Sequence, residues 1–297
     1  MSLETLLTEQ VNPGSRDIDI RTTGEVLRIM NDNDQQVASA VASEIPRIAQ
    51  AVDGIVAAIG AGGRLFYLGA GSSGRLGVLD AAECPPTFNV APDLVQGIMA
   101  GGEAALAKST EATEDDPETG KRDLSLRGFT ARDVLVAIAA SGRTPYVLGA
   151  VAMARSLPAL TIGISCTPDS ELSRAVDIAV TPLCGPEVIA GSTRLKAGTA
   201  TKLVLNMLST AAMIRLGYVY GNLMVNVTPR NSKLADRATR IIAQSAAVSL
   251  EQAGEFLKEA GGNAKTAIVM AKLAIDRAAA QAKLAASGGH VSEALKR

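Results

Sequence analysis

Five short apolar runs recur between Arg64 and Gly185: RLFYLGAG, DLVQGIMAGG, DVLVAIAASG, ALTIGISCTP and VDIAVTPLCG. Each has an aliphatic or β-branched centre of strand length and closes on Gly, Ser or Pro. Between them lie segments long enough for crossover helices, including GRLGVLDAAE, EAALAKSTEATED and PYVLGAVAMARSL. Strand and helix alternating in this way predict an α/β fold, a doubly wound five-stranded parallel sheet covered on both faces. Ligands of such sheets bind at the carboxyl ends of the strands.

The flanks read as helix. Thr22-Thr23-Gly24-Glu25 starts one before EVLRIMNDND, and QQVASAVASEIPRIAQAVDGIVAAIG keeps apolar residues at helical spacing. GTATKLVLNMLSTAAMIRLG is a long helix with few charges, and after TPRN the pattern is helical and more charged. The expected organisation is an N-terminal helical segment over 1–57, a sheet domain over 58–228 and a small C-terminal helical domain over 232–297. A chain of 297 residues, 47% hydrophobic but only 3% aromatic and without Trp, builds its core from Ala, Val, Leu and Ile. With 29 basic against 30 acidic residues and no long basic run, nucleic acid is not an expected partner. Cys84, Cys166 and Cys184 have neither zinc-site nor disulfide-framework spacing, which favours a reducing compartment. No apolar run reaches membrane-spanning length, and MSLETLLTEQ has no basic stretch followed by an apolar one. A cytoplasmic protein without a membrane partner is expected.

The only histidine is His290, which makes histidine triads and zinc sites improbable and leaves proton transfer to carboxylates. Two strand-to-helix turns carry Ser-Gly-Arg: Gly71-Ser72-Ser73-Gly74-Arg75 and Ser141-Gly142-Arg143-Thr144. Glycines let the backbone approach an anion, helix N-termini offer free N–H groups, and hydroxyls add donors. GAGSSG loosely matches a dinucleotide fingerprint, but the second strand ends IMAGGE without the acidic residue that would hold a ribose. A phosphate monoester fits better; the plain alternative is a pair of tight turns with Ser at a helix cap. GSTRLKAGTATK adds Ser192, Arg194, Lys196 and Thr199, either as further substrate contacts or as a helix cap with surface charges.

Two carboxylates stand out. Glu83 lies in DAAECPPTF, where Pro85 and Pro86 are expected to end the helix and hold the glutamate in the apolar setting a general acid needs. Glu111 and Glu114 lie three apart in STEATEDDPE, on one face if that segment is helical; such a run is also commonly a solvated surface.

YLGAGSSGRLGVLDAAECPPTF, AASGRTPYV, GSTRLKAGTATKLVLNMLST and GNLMVNV closely resemble the N-acetylmuramic acid 6-phosphate etherase family of the sugar isomerase (SIS) fold superfamily, from TEQVNPGSRDID to the final helices. The resemblance implies a cytoplasmic bacterial lyase that cleaves the D-lactyl ether of N-acetylmuramate 6-phosphate, works as a homodimer and needs no metal or other cofactor. It implies that Glu83 is the proton donor and Glu114 the second participating glutamate; the two turns and the GSTRLKAGTATK cluster themselves give the expected substrate contacts, Gly71, Ser72, Ser73, Ser141, Gly142, Thr144, Ser192, Arg194 and Lys196. The family commonly has Thr where this chain has Ser72, which keeps the hydroxyl. A sugar-phosphate sensor resembling the glucokinase regulatory protein and a phosphosugar aldose-ketose isomerase are the competing readings.

A regular helix over Gly74–Ala82 would span about 13 Å at 1.5 Å per residue, placing Glu83 far from a phosphate at Ser72. Either the Cys84-Pro85-Pro86 turn folds Glu83 back, or Glu83 serves the site of a neighbouring subunit; the second is the expectation.

Overall fold

The structure, a computed structural model, describes residues 6–108, 114–227, 229 and 232–296. Two short 3-10 turns, Pro13–Ser15 and Ile18–Ile20, precede α1 (Thr23–Ser43) and α2 (Ile45–Gly60). Thr22 caps α1 through a capping box: its hydroxyl accepts from the Glu25 N–H while the Glu25 carboxylate accepts from the Thr22 N–H. The sheet region then runs β1 (Leu65–Gly69), α3 (Gly71–Phe88), β2 (Val95–Met99), α4 (Ala104–Ala107), α5 (Pro117–Leu126), β3 (Val134–Ile138), α6 (Pro145–Ser156), β4 (Leu160–Ile164), α7 (Glu171–Ala175) and β5 (Ile178–Val180). It is followed by α8 (Lys196–Arg215), the short pair β6 (Val219–Tyr220) and β7 (Leu223–Met224), and helices α9 (Ser232–Ala246), α10 (Leu250–Glu259), α11 (Ala264–Leu273), α12 (Arg277–Ala286) and α13 (Val291–Ala294).

All five apolar runs form strands, paired in parallel in the order β2-β1-β3-β4-β5. Every residue of β1 and β3 is buried, as expected for central strands covered on both faces. At the amino ends of these two strands Asp133 accepts from the Arg64 backbone N–H at 2.8 Å and pairs with the Arg64 guanidinium at 2.9 Å. Burial alone would raise this carboxyl, but the bonds from Arg64 and Thr130 hold it below the ordinary range.

The chain forms two compact units, Met1–Glu83 with Pro92–Ser209, and Cys84–Ala91 with Thr210–Arg297. The first holds the five-stranded sheet. The second is mainly helical, and Ile242, Ile268 and Val269 lie at the centre of its own apolar core. Its His290 precedes α13 and packs against Gly217, where a Cβ would lie 3.0 Å from the imidazole. Among the described residues no helix is long and apolar enough to cross a membrane.

Two local expectations are corrected. Pro85 and Pro86 do not end α3, which continues through both to Phe88. They withhold two N–H donors, but proline's φ near −65° is a helical value and the ladder resumes beyond them. The Asn89 N–H donates to the Pro85 carbonyl at 2.8 Å, and Asn89 itself, at φ 51°, turns left-handed and stops the helix. Second, EAALAKSTEATED is not one crossover helix. Among its described residues only Ala104–Ala107 are helical, and the packed helix is α5, begun by Asp116, whose carboxylate accepts from the Glu118 N–H, and by Pro117 at its first position. Glu114 therefore lies in a turn, and Glu111 lies outside the described residues.

Helices α5 and α6 meet backbone to backbone. A Cβ built on Gly149 would collide with the Pro117 carbonyl, and one on Gly120 with the Tyr146 carbonyl. Gly149→Ala is thus expected to destabilise the fold by about 1–3 kcal/mol through overpacking, read as a lower urea midpoint at unchanged slope.

Candidate active site

The strand order reverses direction between β1 and β3: β2 follows β1 on one side, while β4 and β5 follow β3 on the other. The loops leaving these two strands separate at that point and leave a crevice at their carboxyl ends. A cavity of about 250 Å³ occupies it. A larger cavity of about 830 Å³ opens beside β2 and α5, lined by Met99, Arg122 and Leu126, but it lies off the switch point and gathers no such set of hydroxyls.

After β1, Gly71 takes a φ of +53° and begins α3, so the chain turns at once from strand to helix. The first intrahelical bond is donated by the Gly74 N–H to the Ala70 carbonyl at 3.1 Å. The amides of the residues before Gly74 are thus the helix's unpaired donors, beside the Ser72 and Ser73 side chains that line the cavity. After β3, Gly142 takes a φ of +67°, where a Cβ would collide with the Ser170 hydroxyl. Its N–H donates to the Ala139 carbonyl at 2.8 Å, and this tight turn carries Ser141 and Thr144 to the opposite wall. Thr144 is the residue preceding α6 but makes no side-chain cap bond, so its hydroxyl is spared for the cavity.

Glu114 completes the site. Its backbone carbonyl accepts from the Tyr146 N–H at 3.0 Å, tying the turn to the start of α6. Its Oε1 lies 3.2 Å from the position a Cβ on Gly71 would take, directly over the first turn of α3. The carboxylate and the hydroxyls therefore share one small cavity.

Two polar side chains of the lining escaped sequence reasoning, Glu9 and Thr193. The Gly191 N–H donates to the Thr8 carbonyl at 3.0 Å and the Ser15 hydroxyl to the Val188 carbonyl at 2.8 Å, so the N-terminal segment is tied to the loop before α8. This brings a Glu9 oxygen to 3.1 Å from where a Cβ on Gly191 would stand. No local pattern in TEQVNPG indicates such a partner 182 residues away, since 191 − 9 = 182.

Other expected residues lie elsewhere. Lys196 does not line the cavity; it is 2% exposed and its ammonium donates to Asn33 Oδ1 at 3.2 Å. The buried Glu187 carboxylate accepts from the Lys196 and Ala197 N–H groups at 3.0 and 2.9 Å, capping α8. The Ser192 N–H donates to the Ile189 carbonyl at 3.0 Å within the same loop. Lys196 is therefore neither a lining residue nor a surface charge, and the cap of α8 comes from Glu187, outside the GSTRLKAGTATK stretch. Arg194 is exposed and lines a neighbouring cavity with Ser72.

Glu83 is exposed and lies 11 residues beyond Ser72 on α3. At 1.5 Å per residue that is about 16 Å along the helix. Because α3 is continuous there, the chain does not fold Glu83 back onto its own Ser72 loop.

Residues 47–155 match the glucokinase regulatory protein N-terminal SIS domain. N-acetylmuramic acid 6-phosphate etherase from Jannaschia sp. is 54% identical over 266 residues, covering 90% of this chain and 84% of that protein. The protein of the same name from Aliivibrio fischeri is 50% identical over 295 residues, covering 99% and 98%. The chain belongs to the N-acetylmuramic acid 6-phosphate etherase family. A solved phosphoheptose isomerase from Neisseria gonorrhoeae, 17% identical with a TM-score of 0.50 over 64% of this chain and 98% of its own, shares the fold with this etherase-family chain.

Proposed function

We propose that this chain is a carbon–oxygen lyase that converts N-acetylmuramate 6-phosphate and water to N-acetylglucosamine 6-phosphate and D-lactate in the cytoplasm. The observation that carries the reading is Glu114 poised over Gly71 in a cavity lined by Ser72, Ser73, Ser141 and Thr144. The phosphate takes the hydroxyls of both turns and the free amides at the start of α3, a hydrogen-bonding cradle with no need of a cation.

In the open-chain sugar the aldehyde acidifies the C2 proton, and the ether oxygen on C3 lies β to that carbonyl. Glu114 takes the C2 proton, the C3–O bond breaks with Glu83 donating a proton to the departing lactate oxygen, and water then adds to C3 of the unsaturated aldehyde. An alkoxide leaves poorly unless protonated, so the acid is as necessary as the base. A Glu83 far along α3 from its own cradle fits a homodimer in which each subunit lends this carboxyl to its partner's site.

Incubating the purified chain with N-acetylmuramate 6-phosphate and assaying D-lactate tests the reading. Stoichiometric lactate and N-acetylglucosamine 6-phosphate are expected. A folded chain that binds the substrate and releases no lactate would instead be a sugar-phosphate sensor.

A further inference from the structure

The cavity holding Glu114 contains two carboxylates, Glu9 and Glu114, and no cation among its lining residues. Beside it, sharing Ser72, a second cavity of about 420 Å³ has the opposite character: Arg75, Arg194 and Lys202 line it, with Thr199, and no carboxylate does. We propose that this cationic cavity is the subsite for the carboxylate of the substrate's lactyl arm, so that it selects lactyl ethers from other amino-sugar phosphates. The inference rests on the etherase reading and extends it to specificity.

Two anionic groups must be placed on such a substrate. The phosphate is satisfied by hydroxyls and helix amides. The lactyl carboxylate, attached through the C3 oxygen, cannot settle beside Glu9 and Glu114, because like charges a few ångströms apart repel strongly in a cavity of reduced dielectric. The adjoining cavity offers the complementary field. Among the described residues neither Arg194 nor Lys202 is in an ion pair, and Arg194 makes no hydrogen bond through its guanidinium.

The supporting parts are held in place. Arg75 donates to the Ala105 and Leu106 carbonyls at 2.7 and 3.0 Å, which fixes the guanidinium at the cavity's edge. Lys202 lies one turn beyond Gly198 on α8, and a Cβ at Gly198 would meet nothing nearer than the Thr193 carbonyl at 3.5 Å, so the floor between Arg194 and Lys202 is open. A planar guanidinium grips a carboxylate in bidentate fashion, and a lysine adds a point charge. The product N-acetylglucosamine 6-phosphate has no lactyl arm, so it gains nothing from this cavity and leaves once the ether is cut.

Three probes separate this role from phosphate binding: N-acetylmuramate 6-phosphate, its lactamide analogue, in which the carboxylate is an uncharged amide, and N-acetylglucosamine 6-phosphate as a competitive inhibitor. In Arg194→Met and Lys202→Met, kcat/KM for the acid is expected to fall about 10- to 100-fold each, mostly through KM, the loss of a charge-assisted bond. The same constant for the lactamide, or its Ki where it is not turned over, should stay within about 3-fold of the parent, as should the Ki of N-acetylglucosamine 6-phosphate. Arg194→Lys, which keeps the charge and loses the fork, should fall between parent and Arg194→Met.

Equal losses for acid and amide, a raised Ki for the product, a changed oligomeric state or an unaffected acid substrate would each overturn the subsite. A parent protein that releases no lactate would overturn the etherase reading itself. Circular dichroism of each variant, and the intact Ki for the product, establish that the fold and the phosphate cradle are present.

Discussion

Glu114→Gln is expected to reduce D-lactate release by about 10²- to 10⁴-fold, the usual contribution of a positioned acid or base. Glutamine keeps the side chain's shape beside Gly71, where the carboxylate oxygen approaches to 3.2 Å of the Cβ position, so the cavity is preserved while the base is lost. Exchange of the C2 proton with deuterated solvent should disappear together with lactate release. Glu83→Ala should also abolish lactate release, yet leave C2 exchange measurable, because the acid acts after the proton has been taken. Symmetry supplies a sharper measurement. If Glu83 serves the partner's site, a dimer of one Glu83→Ala and one Glu114→Gln subunit holds one intact site and one doubly damaged site. Random mixing of the two inactive proteins, with exchange of subunits, should then recover about a quarter of parental activity. If Glu83 serves its own chain's site, mixing recovers nothing.

The second large effect concerns stability. Asp80 is 7% exposed on α3 and accepts from the Tyr67 hydroxyl at 2.9 Å, Asn206 Nδ2 at 2.7 Å and the Ser209 hydroxyl at 3.2 Å. Asp80→Ala removes the acceptor of three donors belonging to β1 and α8, two of them buried, and should cost about 3–5 kcal/mol. A chemical melt of the variant would measure it; a loss under about 1 kcal/mol would mean that water replaces the carboxylate. Burial raises the Asp80 pKa, and the donors Asn206, Tyr67 and Ser209 with the Lys202 charge offset this only in part. The folded state therefore holds the proton more tightly than the unfolded state. This contribution to stability is full below the ordinary aspartate pKa and is lost as pH rises through the raised folded value. Asp80→Asn has no such titration, so relative to the parent it should gain stability as pH rises from the ordinary aspartate value, about 4, through the raised folded pKa.

Much of the fold is legible because it rests on short-range patterns. Five aliphatic runs closed by Gly, Ser or Pro are five parallel strands, and Thr22 with Glu25 is a capping box in sequence as in space. The hydroxyl-rich turns after β1 and β3 are legible for the same reason: glycine at positive φ and a serine at a helix start are local requirements. The misread places depend on the surroundings. Pro85-Pro86 reads as a stop, yet the flanking turns of α3 close around it. The acidic run reads as helix, while DDPETG, with its cap residue before a proline, was the stronger signal and begins α5.

Residue type and spacing alone determined that this chain builds a doubly wound sheet with hydroxyl-rich turns after two of its strands, carries a single histidine, and resembles one family along nearly its whole length. Which polar residues meet was decided by tertiary structure. Lys196 and Arg194 are two positions apart, yet one is buried against Asn33 and the other faces the cationic cavity. Glu9 reaches the cavity because the N-terminal segment is bonded to the loop before α8, and Glu114 because its turn is tied to Tyr146. Such contacts join segments far apart in the chain, and their geometry comes from packing the elements together, which no local propensity encodes.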